Sequence, residues 1–332
     1  MKVLGIESSC DETSVAVVDD GRNVLANIIA SSLDLHKQYG GIVPEIASRH
    51  HVEVIIPVLR AALKMSKTPL GEIDLIAVTQ GPGLIGSLMI GITFAKSLGF
   101  ALKKPIIAVD HILAHLYAAC LSNQKIKFPS LGLVVSGGHT SLFLLKSFTD
   151  FKIIGKTRDD ALGEAYDKVA KILHLGFPGG HVIEERAAAA REKRLHFTVP
   201  SVKNSFDFSY SGLKTAVLYY TKKNKFLDGI AINEICYAFQ EAALISLTNQ
   251  IKKTVSEHGI NRMLAGGGVI ANKKLREKLV ELKLSLYFPE MEYCSDNAGM
   301  VAGLGYELYN KKVETQMDFE PYSTFEERWE KI

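Results

Sequence analysis

The sequence predicts an α/β protein with two lobes of the same architecture. Short apolar runs alternate with helical patterns along 332 residues, antiparallel strands begin each half, and glycine-rich turns follow strands in both halves. A chain of this length suits two lobes better than one core. Because no residue-level repeat is visible, the predicted duplication is one of element order.

The first half is predicted to begin with three strands and to continue with alternating helices and strands. Asp19-Asp20-Gly21 is a hairpin turn between the second and third strands. Apolar pairs recur every four residues from Val54 to Leu63, which is a helix signature. The predicted elements are strands at 3–7, 14–18 and 24–30, a helix around 54–63, a strand at 75–78, a helix at 85–98 and a strand at 106–109.

The second half is predicted to repeat this order. Strands at 131–135 and 140–145 are joined by a glycine turn. They are followed by a third strand at 151–154, a helix at 161–173, a strand at 263–265, a helix from about 272, a short strand at 286–288 and a closing helix at 298–309. Residues 178–220 have no counterpart in the first half and are predicted to be an insertion. The predicted lobes are 1–109, completed by the C-terminal helix at about 296–332, and 110–295. This order is that of the actin, hexokinase and Hsp70 superfamily, in which glycine turns hold a ligand in a cleft between lobes.

Composition indicates a soluble globular protein of a reducing compartment. Apolar residues make up 47 %, charged residues 23 %, and the net charge of +3 gives no global sign of nucleic-acid binding. The four cysteines are scattered without a C-x-x-C motif, which argues against a disulfide framework or a zinc ribbon. Glu7 follows too short an apolar run for a signal peptide, and Gln80-Gly81-Pro82-Gly83 breaks the uncharged stretch 75–95, so we expect a cytoplasmic protein with no membrane segment.

The strongest sign of chemistry is a histidine pair at the start of a predicted helix. His111 and His115 follow the strand at 106–109, and positions i and i+4 share one helical face. Both imidazoles could therefore bind one zinc or iron ion beyond the end of the strand, although ordinary hydrogen bonds are the alternative. Asp296, just before the last helix, is the best-placed carboxylate for a third ligand, but an N-cap role would also explain it.

Five glycine or acidic clusters fall at the ends of predicted elements. Each could contact a nucleotide through amides, hydroxyls or carboxylates, and each could also be a plain turn or helix surface. Two consecutive glycines in Ser136-Gly137-Gly138-His139 permit positive φ, so we favour ligand binding there. Glu164 and Asp167 share a helical face and could hold ribose hydroxyls or a cation. The clusters are 8–13, 81–83, 136–140, 159–168 and 266–268, the last followed by Asn272, a possible N-cap.

Together these motifs resemble the universal family of tRNA threonylcarbamoyladenosine synthesis proteins, whose bacterial branch is the TsaD family. The resemblance covers nearly the whole chain. The matching stretches are 5–13, 40–45, 81–84, 110–115, 136–140, 163–168, 206–215, 266–272 and 294–297. The resemblance implies an actin-like fold and a transferase. The family moves a threonylcarbamoyl group from threonylcarbamoyl-adenylate to the exocyclic amine of the adenosine just after the anticodon.

The resemblance also implies roles for single residues and for other molecules. His111, His115 and Asp296 would bind one divalent metal per subunit, which is iron or, as the alternative, zinc. Bacterial members work on tRNA with a smaller paralogous subunit (TsaB-like) and a P-loop ATPase (TsaE-like), with no membrane. The residues that would contact the adenylate, or an adenine nucleotide, are Val134, Val135, Ser136, Gly137, Gly138, Asp167, Gly180, Glu184 and Asn272.

The chain departs from the family pattern at two positions, and one role stays open. His181 stands where proline is common and Glu184 where aspartate is frequent, which puts only the geometry near the ribose in question. No residue is identified as the general base, and Asp11 and Glu12 are candidates by position only.

Three other functions are considered as alternatives. An ATP-dependent small-molecule kinase of the same superfamily would use the same loops but needs no His–His–Asp set. A metalloprotease is disfavoured because H-E-x-x-H is absent from the sequence. A non-catalytic nucleotide-gated scaffold is disfavoured by the lack of Hsp70-like or actin-like extra subdomains.

Overall fold

The computed structural model describes residues 1–121, 126–224, 228–313 and 315–324, which form two units. The first unit is Met1–Ile126 with Pro289–Ile332, and the second is Lys127–Phe288. In the first unit lie β1 (Lys2–Glu7), β2 (Glu12–Asp19), β3 (Asn23–Ser31), α1 (Leu33–Lys37), α2 (Pro44–Ser66), β4 (Leu75–Gly81), α3 (Ile85–Leu102), β5 (Ile106–Asp110), α4 (His111–Leu121) and α10 (Ala298–Asn310). In the second lie β6 (Ser130–Val135), β7 (Thr140–Leu145), β8 (Phe151–Lys156), α5 (Leu162–Ile172), α6 (Gly179–Ala188), α7 (Ser211–Lys223), α8 (Gly229–His258), β9 (Arg262–Gly266), α9 (Lys273–Val280) and β10 (Ser285–Tyr287).

Each unit is built on a five-stranded mixed sheet, and the two sheets correspond strand for strand. The first has the order β3-β2-β1-β4-β5, and the second, read from β8, has the order β8-β7-β6-β9-β10. In both sheets the first three strands are antiparallel and the remaining two pairings are parallel. The predicted α/β fold with duplicated element order is therefore confirmed.

In the first unit, helices cover both faces of the sheet. Leu4 and Ile6 of β1 belong to a buried cluster with side chains of α2 and α3. Gly5, between them, points to the opposite face, since side chains alternate along a strand. A Cβ at Gly5 would lie 2.2 Å from the carbonyl oxygen of Ala298, so the missing side chain lets α10 lie directly on β1.

The structure differs from the predicted lobe bounds at one helix. Helix α4 belongs to the first unit, where it packs on α10, whereas the predicted boundary at residue 109 assigned it to the second lobe. All eleven residues of α4 are buried. An apolar helix buried on every side cannot be assigned to a lobe from its own sequence, because its pattern does not point to one neighbour.

The longest helix, α8, was not predicted from the sequence. Its buried residues are spread around its circumference, so no single apolar stripe marks it. The predicted insertion at 178–220 contains α6 and most of α7, and α6 packs against α5 and α8. Helices α3 and α8 are long and apolar enough to cross a membrane by length and composition alone, a test that core helices of soluble proteins also pass.

Candidate metal centre and ligand-binding turns

The three predicted metal ligands come together in the first unit. One ligand atom from each of His111, His115 and Asp296 lies within 4.8 Å of the others. Oδ1 of Asp296 is 3.1 Å from Nε2 of His115 and 3.7 Å from Nε2 of His111. Two imidazole nitrogens and one carboxylate oxygen at this separation suit zinc or a transition metal and leave coordination positions for a substrate.

The surroundings of His115 fit metal coordination better than an ordinary core role. The side chain is fully buried, and neither ring nitrogen makes a hydrogen bond with any residue that the structure describes. Buried polar groups in proteins are nearly always hydrogen-bonded, because an unpaired one keeps its full desolvation cost. His115 Nδ1 therefore has no ordinary hydrogen-bond partner among the described residues, and Nε2 faces the carboxylate of Asp296.

Two helix starts position the three side chains. Helix α4 begins at His111, directly after β5, and Oδ1 of Asp110 accepts a hydrogen bond from the backbone N–H of Leu113 at 2.9 Å. At the start of α10 the N-cap is Asn297, whose Oδ1 accepts from Met300 N–H at 3.0 Å. The alternative role of Asp296 as the N-cap is therefore wrong, and Asp296 lies one residue before the cap, facing the histidines.

A buried carboxylate that the sequence analysis did not single out lies behind His111. Glu7 ends β1, is fully buried, and places Oε2 3.0 Å from Nδ1 of His111. Burial alone would raise the pKa of Glu7, but the charge and hydrogen bond of His111 outweigh it and the pKa is lowered. For His111, burial would lower the pKa, but the negative charges of Glu7 and Asp296 raise it to about 9. The available signal was a carboxylate ending an otherwise apolar buried strand.

The turn between β1 and β2 lies beside this centre. Ser9 Oγ is 3.3 Å from Nδ1 of His111, which shows that the turn is more than a polar hairpin. Burial, followed by the charges of Asp296 and Asp11, raises the pKa of Glu12 to about 10. Asp296 is one of the proposed metal ligands, so this raised pKa belongs to the metal-free site, and Asp11 and Glu12 both stay candidates for the general base.

In the second unit, the glycine turn between β6 and β7 is well defined, but not for the predicted reason. Ser136 N–H donates to His139 O at 2.8 Å, and Gly163 N–H, at the start of α5, donates to Ser136 O at 3.2 Å. Neither Gly137 nor Gly138 has a positive φ, so the expectation based on positive φ is wrong. A Cβ at either glycine would have no atom within 4 Å, which means that the surface of the turn is open.

The polar side chains predicted to contact an adenylate act in the structure as anchors of helix starts. Asp167 Oδ1 accepts from Gly179 N–H at 2.7 Å, where α6 begins. Asn272 is the N-cap of α9, which is the alternative role considered for it in the sequence. Glu184 Oε1 accepts a hydrogen bond from Lys273 N–H, also at the start of α9, at 2.7 Å. These contacts fix where the N-termini of α6 and α9 lie and which way their backbone N–H groups point.

The triple glycine after β9 is required by packing against β6. Gly267 has a φ of +96°, and a Cβ there would lie 2.3 Å from the carbonyl oxygen of Val135. The close backbone approach predicted for this turn is therefore an approach to the neighbouring strand, whose last residues are the fully buried Val134 and Val135.

The chain has close relatives of known class. The family model described as TsaD, tRNA N6-adenosine threonylcarbamoyltransferase, matches residues 23–303. A protein of that name from Protochlamydia amoebophila (strain UWE25) is 48 % identical over 332 residues, which cover 97 % of each chain. Another, from Kosmotoga olearia, is 45 % identical over 325 residues and covers 96 % of each chain.

Solved structures with low sequence identity share the fold. Full-length HypF in a phosphate- and nucleotide-bound form matches 95 % of this chain and 56 % of its own with a TM-score of 0.59 at 15 % identity. Component A of the (R)-2-hydroxyglutaryl-CoA dehydratase from Acidaminococcus fermentans matches 92 % and 98 % with a TM-score of 0.55 at 14 % identity. These likenesses confirm the actin-like ATPase fold. From the family match and the relatives' identity over nearly their full length, the chain belongs to the TsaD family, the tRNA N6-adenosine threonylcarbamoyltransferases.

Proposed function

We propose that this chain transfers a threonylcarbamoyl group from threonylcarbamoyl-adenylate to the exocyclic amine of the adenosine just after the anticodon, in tRNAs that read codons beginning with A. The observation that carries the proposal is the buried His111–His115–Asp296 cluster in a chain whose close relatives are named for this reaction. The substrate class comes from the family, and the cluster supplies a site for the metal on which the proposed chemistry depends.

The reaction needs little nucleophilic help from the protein. The donor is a mixed carbamic–phosphoric anhydride, so its carbonyl carbon is already activated and AMP is the leaving group. The adenosine amine forms a bond to that carbon, the carbon–oxygen bond to phosphate breaks with its electron pair, and the amine loses a proton. Orientation and charge stabilisation therefore supply most of the rate enhancement.

His111, His115 and Asp296 would hold the metal, with iron as our first assignment and zinc as the second. When bound, such an ion would supply positive charge that stabilises the charge developing on the carbonyl oxygen of the donor. Asp11 or Glu12 would take the proton that the amine loses. Both are carboxyl groups of the turn beside the metal cluster.

The adenylate would be bound by backbone groups of the second unit. The open turn at Ser136, Gly137 and Gly138 exposes its main chain, and helix N-termini attract phosphate. Asp167 would act by holding the start of α6, which includes Gly180, and Glu184 and Asn272 by holding the start of α9. We further propose that the chain works in the cytoplasm with a smaller TsaB-like paralogue and a TsaE-like P-loop ATPase.

A small-molecule kinase of the same fold is the alternative. It would bind ATP at the same turns and transfer the γ-phosphoryl group, but it leaves the His–His–Asp cluster without a role. The close relatives carry the transferase name, which favours the transferase over the kinase.

The test is transfer of labelled threonylcarbamoyl from its adenylate to unmodified tRNA, with the partner subunits added and with or without a chelator. We expect label in tRNA that is lost on chelation and restored by added metal. His258→Ala, which removes an exposed histidine at the end of α8, serves as the matched control for His111→Ala. No transfer with all partners present, together with ATP-dependent phosphorylation of a small metabolite, would support the kinase instead.

A further inference from the structure

We propose that Glu7 is a positioning residue that keeps the proton of His111 on Nδ1 and thereby directs the lone pair of Nε2 toward the metal. The inference rests on the proposed metal site and adds a residue that lies outside the ligand set. It concerns which ring nitrogen can bind the ion, not whether the ion is bound.

The Glu7 carboxylate is held by donors from three parts of the first unit. Its Oε1 accepts from the backbone N–H of Ser9 at 2.6 Å. Its Oε2 accepts from the hydroxyl of Thr79 on β4 at 2.6 Å and lies 3.0 Å from Nδ1 of His111 on α4. All of these side chains are buried, so the carboxylate has one position and no water-exposed alternative.

This arrangement determines the tautomer of His111. An ionised carboxylate can only accept hydrogen bonds, so the facing Nδ1 carries the proton in the neutral ring. The lone pair then lies on Nε2, the nitrogen that faces Oδ1 of Asp296 at 3.7 Å. Ser9 Oγ, at 3.3 Å from Nδ1, cannot set the tautomer because a hydroxyl both donates and accepts.

His115 provides the internal contrast. Its Nδ1 has no hydrogen-bond partner among the described residues, and the carboxylate beside its Nε2, at 3.1 Å, is that of the proposed ligand Asp296, so no residue outside the ligand set plays the part of Glu7. Its ring is instead held by the surrounding core, since every residue of α4 is buried. Of the two histidines, only His111 therefore has its binding nitrogen selected before the metal arrives, as carboxylate partners do in many metal sites.

Glu7→Gln is the informative substitution because it keeps the shape of the side chain and changes its donors. The N–H of Ser9 requires an acceptor at close range, which keeps the amide oxygen of Gln on that side. The amide NH₂ group then faces Thr79, whose hydroxyl can rotate to accept, and Nδ1 of His111, which must lose its proton to accept. The proton moves to Nε2, where it blocks metal binding.

The first experiment is a zinc titration against a competing chelator with the full chain. We expect Glu7→Gln to weaken zinc binding about 10- to 100-fold, the range for lost outer-sphere partners of metal-binding histidines. Glu241→Gln is the matched control, because it removes a carboxylate paired with Lys278 in the second unit. Zinc binding by Glu7→Gln within twofold of the wild type would overturn the inference.

The second experiment separates a tautomer change from simple loss of negative charge. In the metal-free protein, ¹⁵N resonances of the imidazoles, followed to the pH at which they stop changing, report which nitrogen carries the proton in the neutral ring. We expect Nδ1–H in the wild type and Nε2–H in Glu7→Gln. The same tautomer in both, or an unprotonated Nδ1 in the wild type, would overturn the inference.

The two experiments also keep this inference apart from the proposed function. Wild-type protein that binds zinc with Nδ1–H at His111 but transfers no threonylcarbamoyl would contradict the proposed function and support the role of Glu7. If Glu7→Gln does not fold, the wild-type spectrum alone decides the inference.

Discussion

The two units share one strand order but use their polar side chains in opposite ways. In the first, His111, His115 and Asp296 gather at one point, and His115 makes no hydrogen bond with the described residues. In the second, the side-chain oxygens of Asp167 and Asn272 accept hydrogen bonds from backbone N–H groups at helix starts. On the proposed function, the first unit would thus present side chains as ligands, and the second would present correctly placed backbone.

This difference predicts how substitutions divide between activity and stability. Removing His115 takes away a proposed ligand whose ring nitrogens make no hydrogen bond with the described residues, whereas removing His111 also takes away the partner of the buried Glu7 carboxylate. Removing a helix anchor of the second unit leaves backbone N–H groups unpaired, so it should lower the free energy of unfolding more than the rate of the reaction.

The largest effect is expected for His115→Ala. Loss of one ligand should lower both metal content and the rate of threonylcarbamoyl transfer, the rate by about 100- to 1,000-fold, since a bound metal contributes several kcal/mol to such reactions. Metal analysis and the transfer assay measure this. Full transfer activity at saturating metal would contradict the metal role of His115, and His258→Ala should behave as the wild type.

The next effect is expected for Asp159→Ala in the second unit. Asp159 accepts hydrogen bonds from the hydroxyls of Ser209 and Ser211 and from the backbone N–H groups of Tyr210 and Ser211. Because hydrogen bonds to a charged group are stronger than neutral ones, we expect a loss of about 2 kcal/mol in the free energy of unfolding. Chemical denaturation measures it, with Asp150→Ala, a surface substitution, as control. An unchanged denaturation midpoint would contradict the prediction, because it would mean that these hydrogen bonds are no stronger than those the same groups make with water in the unfolded chain.

Asn272→Ala should have a smaller effect on stability and a distinct one on binding. Loss of the N-cap bond to Leu275 N–H costs about 1 kcal/mol. Asn272 also donates to Gln240 at 3.1 Å, so the start of α9 should loosen and adenylate affinity should fall while metal content stays unchanged. Calorimetric titration with AMP and metal analysis separate the two. A loss of metal with unchanged AMP affinity would contradict the contrast between the units.

The contribution of Asp159 to stability should be measurable as a pH dependence of unfolding at acid pH. Burial opposes ionisation, but the hydrogen bonds from Ser209, Tyr210 and Ser211 together outweigh it and lower the pKa of Asp159 below its ordinary 3.8. Because the pKa of Asp159 is lower in the folded than in the unfolded protein, its ionised form stabilises the fold fully at any pH above the unfolded-state pKa. This stabilisation is lost as the pH falls through the folded-state pKa. Asp159→Asn should therefore flatten the stability curve below about pH 4. Urea midpoints from pH 2 to 6 measure this small effect, and an identical slope in both proteins would contradict it.

The sequence predicted the site where its signal was local and failed where the signal was long-range. His111 and His115 lie four residues apart on one helix, so their convergence follows from helix geometry. Glu7 could not be found this way, because its partners Thr79 and His111 lie 72 and 104 positions along the chain. The turn at Gly137 was assigned correctly in place but not in conformation, because a hairpin does not reveal its φ angles through glycine content alone.

The prediction of secondary structure also succeeded where the sequence pattern was local and failed where it was not. Strands of both sheets were predicted because each is a short apolar run bounded by turns, and the structure confirms their order. Helix α8 was missed because its apolar residues face several neighbours, and a helix buried around its circumference has no period to detect.

The close approach of α10 to β1 at Gly5 has a consequence for biosynthesis. Nearly the whole second unit is translated between His115 and Asp296, so the two histidines leave the ribosome long before their carboxylate partner. A nascent chain can fold its first sheet and hold both histidines, yet the proposed metal site has its full ligand set only after α10 docks on that sheet. On the proposed function, metal loading would therefore be a late event that reports completion of the first unit, and prematurely ended chains would be excluded from it.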